Sequence, residues 1–193
     1  MTGIARIAVL ASGGGTNLQA VLDACAGGAL PAQVVGVFSD RSDAGALARA
    51  RAAHVATVRH VSRTPGAPRH EYDRALADAV ASVAPDWIVL AGFMRILHGP
   101  LLHAFPRRIV NIHPSLLPKY PGKNAIPAAL QSGDTTAGCT VHYVDGGIDT
   151  GEIIAQSTVP VKLDETQESL TRKIQWAEHA LLPATLQRLL HQV

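Results

Sequence analysis

The 193-residue chain balances 17 basic against 15 acidic residues, with 47% hydrophobic and 17% charged positions. This excludes a disordered chain, and a net charge of +2 spread along the sequence leaves no electrostatic footprint for nucleic acid or a membrane surface. The length suits one domain, which at this size buries roughly 70% of the surface of its unfolded chain.

The chain opens on an apolar run, Ile4–Leu10, that is too short for a helix and reads as a buried strand. A helical pattern over 16–26 follows a glycine cluster. Further strand-like runs lie at Val34–Phe38, Ala56–Val61, Trp87–Ala91 and Ile109–Ile112, and helical patterns at Ala44–Ala53, Glu71–Val83 and Pro100–Phe105 fall between them. Such alternation predicts an α/β fold: a single doubly wound, mostly parallel sheet with helices on both faces. A Pro-rich stretch, Pro114–Gly122, changes the pattern. It is followed by a short helix over Ala125–Gln131 and two β-like runs, Gly138–Val144 and Glu152–Val161, predicted to join the sheet beside a functional loop. A long amphipathic helix from Glu165 to about His191, bent at Pro183, closes the domain.

No repeat or linker divides the chain, so residues 1–193 are expected to form one domain. The segment Met1–Leu10 lacks the features of a signal peptide, and no run approaches the ~18 apolar residues of a membrane helix. Cys25 and Cys139 lack the spacing of a zinc or redox site and suit free thiols in a reducing compartment. A soluble, cytoplasmic protein is expected.

Three stretches carry chemistry. The first strand runs into Ser12-Gly13-Gly14-Gly15-Thr16-Asn17, a glycine loop opening a helix whose free N–H groups and dipole favour an anion. It lacks the Gly-Lys-Ser/Thr ending of a P-loop, and Leu18 stands where a dinucleotide fingerprint has its third glycine, so one small phosphate fits better than a pyrophosphate. A plain strand-to-helix turn is the alternative. Asp40 lies where a dinucleotide enzyme holds its ribose, but the Asp40–Asp43 stretch equally makes a polar turn, and the broken glycine pattern favours the turn.

The second stretch is Asn111-Ile112-His113-Pro114-Ser115-Leu116-Leu117-Pro118, leaving the fifth strand at the C-terminal end where open α/β sheets bind ligands. Alternation puts Asn111 and His113 on one side, an amide donor beside an imidazole, which suits acyl transfer. Third, His142 ends a β run and Asp149 sits in a glycine-rich loop. A carboxylate brought near His113 would favour its charged form. Taken singly, each of these residues could equally be structural, and a metal site of His113, His142 and Asp149 is conceivable, although metalloprotease spacing is absent.

Together with Ala91-Gly92-Phe93-Met94-Arg95-Ile96-Leu97, Gly138-Cys139-Thr140-Val141-His142, Asn17-Leu18-Gln19-Ala20 and Ala177-Glu178-His179, these stretches make nearly the whole chain resemble the phosphoribosylglycinamide formyltransferases. The resemblance implies a Rossmann-like formyltransferase fold with antiparallel C-terminal strands, and formyl transfer from 10-formyltetrahydrofolate to the amine of glycinamide ribonucleotide in purine synthesis. It implies a catalytic trio of Asn111, His113 and Asp149 supported by His142. Gly14, Gly15, Thr16, Asn17 and Glu178 would hold the ribonucleotide, and Arg69, Met94, Arg95, Ile96 and Leu97 the folate. The N-terminal half would thus bind phosphate and the C-terminal half would bind folate and carry the chemistry. No metal, ATP, nucleic acid or membrane is implied, and a monomer or homodimer is expected. The pattern departs from the family at Lys123–Pro127, which resembles the enzymes acting on initiator tRNA, at Gln175, where some members are basic, and in ending at Val193. A 10-formyltetrahydrofolate hydrolase, a tRNA-directed formyltransferase and a non-catalytic nucleotide-binding module are the rival readings.

Overall fold

The computed structural model describes residues 4–191; residues 1–3 and 192–193 of the expected domain lie outside them. In chain order the elements are β1 (Ala5–Leu10), α1 (Thr16–Ala26), β2 (Ala32–Ser39), α2 (Gly45–Ala52), β3 (Thr57–His60), α3 (Arg69–Ala81), β4 (Trp87–Leu90), α4 (Gly99–Ala104), β5 (Ile109–His113), α5 (Ala125–Gln131), β6 (Thr136–Tyr143), β7 (Ile153–Pro160) and α6 (Gln167–Leu190). The strands form one sheet in the order β3-β2-β1-β4-β5-β6-β7. The first five strands are parallel, and β6 and β7 run antiparallel.

Two-residue alternation explains why both faces are covered. Ile7, Val9, Val37, Val89, Val110 and Ile112 point to one side, into a core closed by Leu18 and Val21 of α1, Leu47 of α2, and Leu170, Ile174, Leu182 and Leu186 of α6. Ala8, Leu10, Phe38, Ile88, Leu90 and Ile109 point to the other, against Tyr72, Leu76 and Val80 of α3 and Leu101 of α4. Leu18, the residue that breaks the dinucleotide pattern, is fully buried in the first core.

The expected elements are present, with shifted ends. The helix expected from Glu71 starts at Arg69, directly after Pro68, whose fixed φ suits a helix entry. The last helix begins at Gln167 because Thr166 caps it, its side chain accepting the Ser169 N–H at 3.1 Å. Pro183 lies inside that helix, which continues through it to Leu190. Among the described residues no helix is long and apolar enough to cross a membrane.

β1 lies between β2 and β4, so the connections leave its C-terminal end in opposite directions and open a crevice there. The glycine loop after β1 and the Met94–Leu97 segment after β4 meet at this switch point, where the Ser12 N–H donates to the Gly92 carbonyl at 3.0 Å.

Candidate active site

The crevice deepens into a cavity of about 830 Å³. Gly14, Gly15, Thr16, Asn17, Arg69, Met94, Arg95, Ile96, Leu97, Asn111, His113, His142, Asp149 and Glu178 all line it, so the residues that the resemblance assigned to catalysis and binding face one space.

Strand pairing brings the polar cluster together. Asn111 of β5 lies opposite His142 of β6 in the antiparallel register. The Asn111 Nδ2 sits 3.1 Å from His142 Nε2 and donates to Asp149 Oδ1 at 3.2 Å. Asp149 arrives from the β6–β7 loop with a left-handed backbone, φ 53°, a conformation that Asp tolerates better than most residues. Its other oxygen, Oδ2, accepts the Gly122 N–H at 2.8 Å and lies 3.3 Å from His113 Nδ1. Burial pushes the Asp149 carboxyl up, but hydrogen bonds from His142 and Gly122 and the charges of both histidines outweigh it, holding the carboxyl down at about 2.

His113 is buried, and its Nε2 faces the Tyr120 carbonyl at 2.9 Å. With oxygen acceptors at both ring nitrogens, the doubly protonated imidazole has a partner for each N–H. Both ring nitrogens of His113 are thus engaged inside the protein. His142 Nδ1 donates to the Tyr143 carbonyl at 2.8 Å, and its Nε2 lies 3.1 Å from the Asn111 amide nitrogen and 3.5 Å from Asp149 Oδ1.

At the other end, Asn17 Nδ2 donates to Glu178 Oε2 at 2.9 Å, linking the glycine loop to α6. Burial pushes the Glu178 carboxyl above its usual range, against the opposing bond from Asn17. Cys139, fully buried nearby, has its thiol pushed up to about 12 by burial and then by the Glu178 charge, and it stays a thiol.

The Met94–Leu97 segment is tied at three points. Ser12 Oγ accepts the Met94 N–H at 2.8 Å, Arg95 Nε pairs with Asp40 Oδ2 at 2.8 Å, and Arg69 Nη2 donates to the Ile96 carbonyl at 2.9 Å. The Arg95 guanidinium also lies over the Tyr72 ring, 4.9 Å from its centroid. The guanidinium groups of Arg69 and Arg95, two of the cavity-lining residues, thus hold this segment in place. Asp40 is more than a turn residue: it also accepts the Ser12 hydroxyl at 2.6 Å and joins the two loops of the switch point.

Sequence reasoning missed this role of Asp40, and it missed the backbone groups of Tyr120 and Gly122 that hold His113 and Asp149. The Pro121-Gly122 turn marks their position, but a backbone donor has no side chain to announce it. Among the described residues no group of three His, Cys, Asp or Glu side chains is arranged to hold a metal ion.

The class of this switch-point site comes from its family: the formyl transferase family model matches residues 5–186. The phosphoribosylglycinamide formyltransferase of Escherichia coli K12 is 43% identical over 181 residues, 94% of this chain and 85% of that one. The trifunctional purine biosynthetic protein adenosine-3 of Drosophila melanogaster is 44% identical over 188 residues; these are 96% of this chain, which spans only 14% of that longer protein. The solved glycinamide ribonucleotide transformylase 1 of Symbiobacterium toebii superposes with a TM-score of 0.93 at 47% identity, covering 97% of this chain and 88% of that one. The chain belongs to the phosphoribosylglycinamide formyltransferase family.

Proposed function

We propose that this chain transfers the formyl group of 10-formyltetrahydrofolate to the amine of glycinamide ribonucleotide, as one cytoplasmic domain, monomeric or homodimeric, acting on small molecules. The observation that carries this reading is that the Asn111, His113 and Asp149 cluster shares one cavity with a glycine loop suited to phosphate and the Met94–Leu97 segment suited to a flat apolar ring.

The neutral amine attacks the formyl carbon, and holding both substrates in one crevice makes the step effectively unimolecular. A tetrahedral intermediate forms with an oxyanion on the former carbonyl. The Asn111 amide and the charge of His113 stabilise it, the amide exchanging its 3.2 Å bond to Asp149 for one to the oxyanion. Asp149 balances the charge on His113 and relays the proton lost by the attacking amine, through water, to N10 of the leaving folate. The C–N10 bond then breaks, giving formylglycinamide ribonucleotide and tetrahydrofolate. His142 supports the cluster, its Nε2 facing Asp149 Oδ1 at 3.5 Å. The N–H groups of Gly14, Gly15, Thr16 and Asn17 receive the phosphate, and Glu178 contacts the ribonucleotide from α6.

The deciding experiment follows the absorbance change on release of the deformylated cofactor from a 10-formylfolate analogue, with and without glycinamide ribonucleotide. Release that requires the ribonucleotide supports the transferase; equal release without it makes the protein a hydrolase. No release in either case refutes the catalytic reading. A second expected result concerns the folate segment. Asp40→Asn should raise the KM for the formyl donor roughly 10-fold, the effect of one charged hydrogen bond of about 1.5 kcal/mol. Steady-state kinetics varying each substrate in turn would check it, and an unchanged donor KM would refute a positioning role for Asp40.

A further inference from the structure

The carbonyls of the glycine loop all have donors within the protein. Gly13 O accepts the Ala46 N–H at 3.1 Å, from the first turn of α2, and Gly15 O accepts the Gln19 N–H at 2.9 Å, within α1. The carbonyl between them, Gly14 O, has a side-chain donor: Arg49 Nε, in the last turn of α2, at 2.8 Å. Arg49 Nη1 reaches on to Gln19 Oε1 at 3.3 Å. Both hydrogen-bond partners of this guanidinium are neutral, so its charge is not cancelled by the groups it touches. His179 is a second basic side chain close enough to feel Arg49, and its charged form is disfavoured by burial and then by the charge of Arg49.

A phosphate monoester carries close to two negative charges at neutral pH, and a helix N-terminus offers the equivalent of about half a positive one. Gln175 of α6, which lines the cavity one turn before Glu178, adds no charge, and Glu178 adds none of the required sign. We propose that Arg49, which stands behind the cavity wall, is a positioning residue that sets the phosphate loop and supplies its positive charge. The guanidinium pulls the Gly14 carbonyl away from the bound anion, turns the following N–H groups towards it, and lends the loop a field that the backbone alone lacks. This rests on the reading of the loop as the phosphate site of glycinamide ribonucleotide.

The test compares glycinamide ribonucleotide with its nucleoside, which lacks the phosphate, in wild type and in the variants Arg49→Met and Arg49→Lys. Inorganic phosphate serves as a competitive probe. Arg49→Met should raise the KM for the ribonucleotide roughly 10-fold or more, the loss expected on removing a charged hydrogen-bond donor. Its kcat at saturation should stay within about twofold, its KM for the nucleoside and the formyl donor should not move, and inhibition by inorganic phosphate should weaken in proportion. Arg49→Lys keeps the charge and should recover most of the affinity. A merely structural role would shift ribonucleotide and nucleoside alike, and that outcome overturns the proposal, as does an unchanged ribonucleotide KM in Arg49→Met. If wild type itself fails to distinguish ribonucleotide from nucleoside and ignores inorganic phosphate, the phosphate reading of the loop falls, and the Arg49 proposal with it.

Discussion

Replacing Asp149 with Asn should cut kcat by roughly 10²- to 10⁴-fold, the range seen for loss of a positioned proton-transfer group, while leaving both KM values within a few-fold. The substitution preserves shape and reverses hydrogen-bond sense. Each carboxylate oxygen faces donors: Oδ2 meets the Gly122 N–H at 2.8 Å and His113 Nδ1 at 3.3 Å, and Oδ1 meets the Asn111 amide at 3.2 Å and His142 Nε2 at 3.5 Å. An amide must turn its NH₂ towards one of these pairs, placing donor against donor in a half-buried site. It also removes the negative charge that faces His113 Nδ1 at 3.3 Å. Turnover equal to wild type in single-turnover and steady-state assays would refute the role.

The same substitution should alter the acid stability of the fold. The Asp149 carboxyl is held at about 2 in the folded protein, below the ordinary value of about 3.9 for an unfolded chain. A depressed carboxyl contributes stability that is complete above the unfolded value and is lost as pH falls through the folded one. Wild type should therefore lose this contribution between about pH 4 and pH 2, and the Asn variant should show a shallower loss over that window in a circular-dichroism titration.

The features legible in the sequence were those encoded by local pattern. Short apolar runs alternating with helical stretches dictated a doubly wound sheet, because a strand covered on both faces needs apolar residues at consecutive positions, as Ile7 to Leu10 and Trp87 to Leu90 provide. Asn111 and His113 were readable as a pair from their two-residue spacing. The approach of His142 was not, since it depends on the antiparallel register of β5 and β6, which places it opposite Asn111. Longer-range bonds left still less trace. Asp40 reaches Arg95 across 55 positions and Arg49 reaches Gly14 across 35, and neither pair has a spacing that local periodicity can mark. The two arginines expected to touch folate are a related case: the resemblance implied a folate contact, and only geometry showed that their charged ends brace the Met94–Leu97 segment.

Gly15→Ala should damage both the fold and the phosphate site, although it adds only one methyl group. Gly15 caps α1 in a left-handed conformation, φ 76° and ψ 31°, which costs a residue with a side chain roughly 1–2 kcal/mol. Space is the harder limit. A Cβ at this position would lie 2.6 Å from the Ala46 Cα and 2.8 Å from the Ala46 Cβ, at the N-terminal turn of α2. Backbone cannot yield as a flexible side chain does, so either α2 or the loop must shift, and overpacking of this kind costs about 1–3 kcal/mol more. The sum, roughly 2–5 kcal/mol, corresponds to a fall in Tm of about 5–15 °C for a chain of this size. The shift also strains the Ala46-to-Gly13 and Arg49-to-Gly14 bonds that turn the loop carbonyls inward, so the KM for glycinamide ribonucleotide should rise by more than about 10-fold, the equivalent of one or more lost hydrogen bonds to a charged group. The neighbouring glycine provides the control. A Cβ at Gly14 meets nothing within 4 Å, so Gly14→Ala should keep the wild-type Tm within about 2 °C, as expected for a change that neither overpacks nor strains the backbone. Equal Tm losses in the two variants would show that glycine at position 15 is required for chain flexibility alone, and that the packing of α2 on the loop does not shape the site.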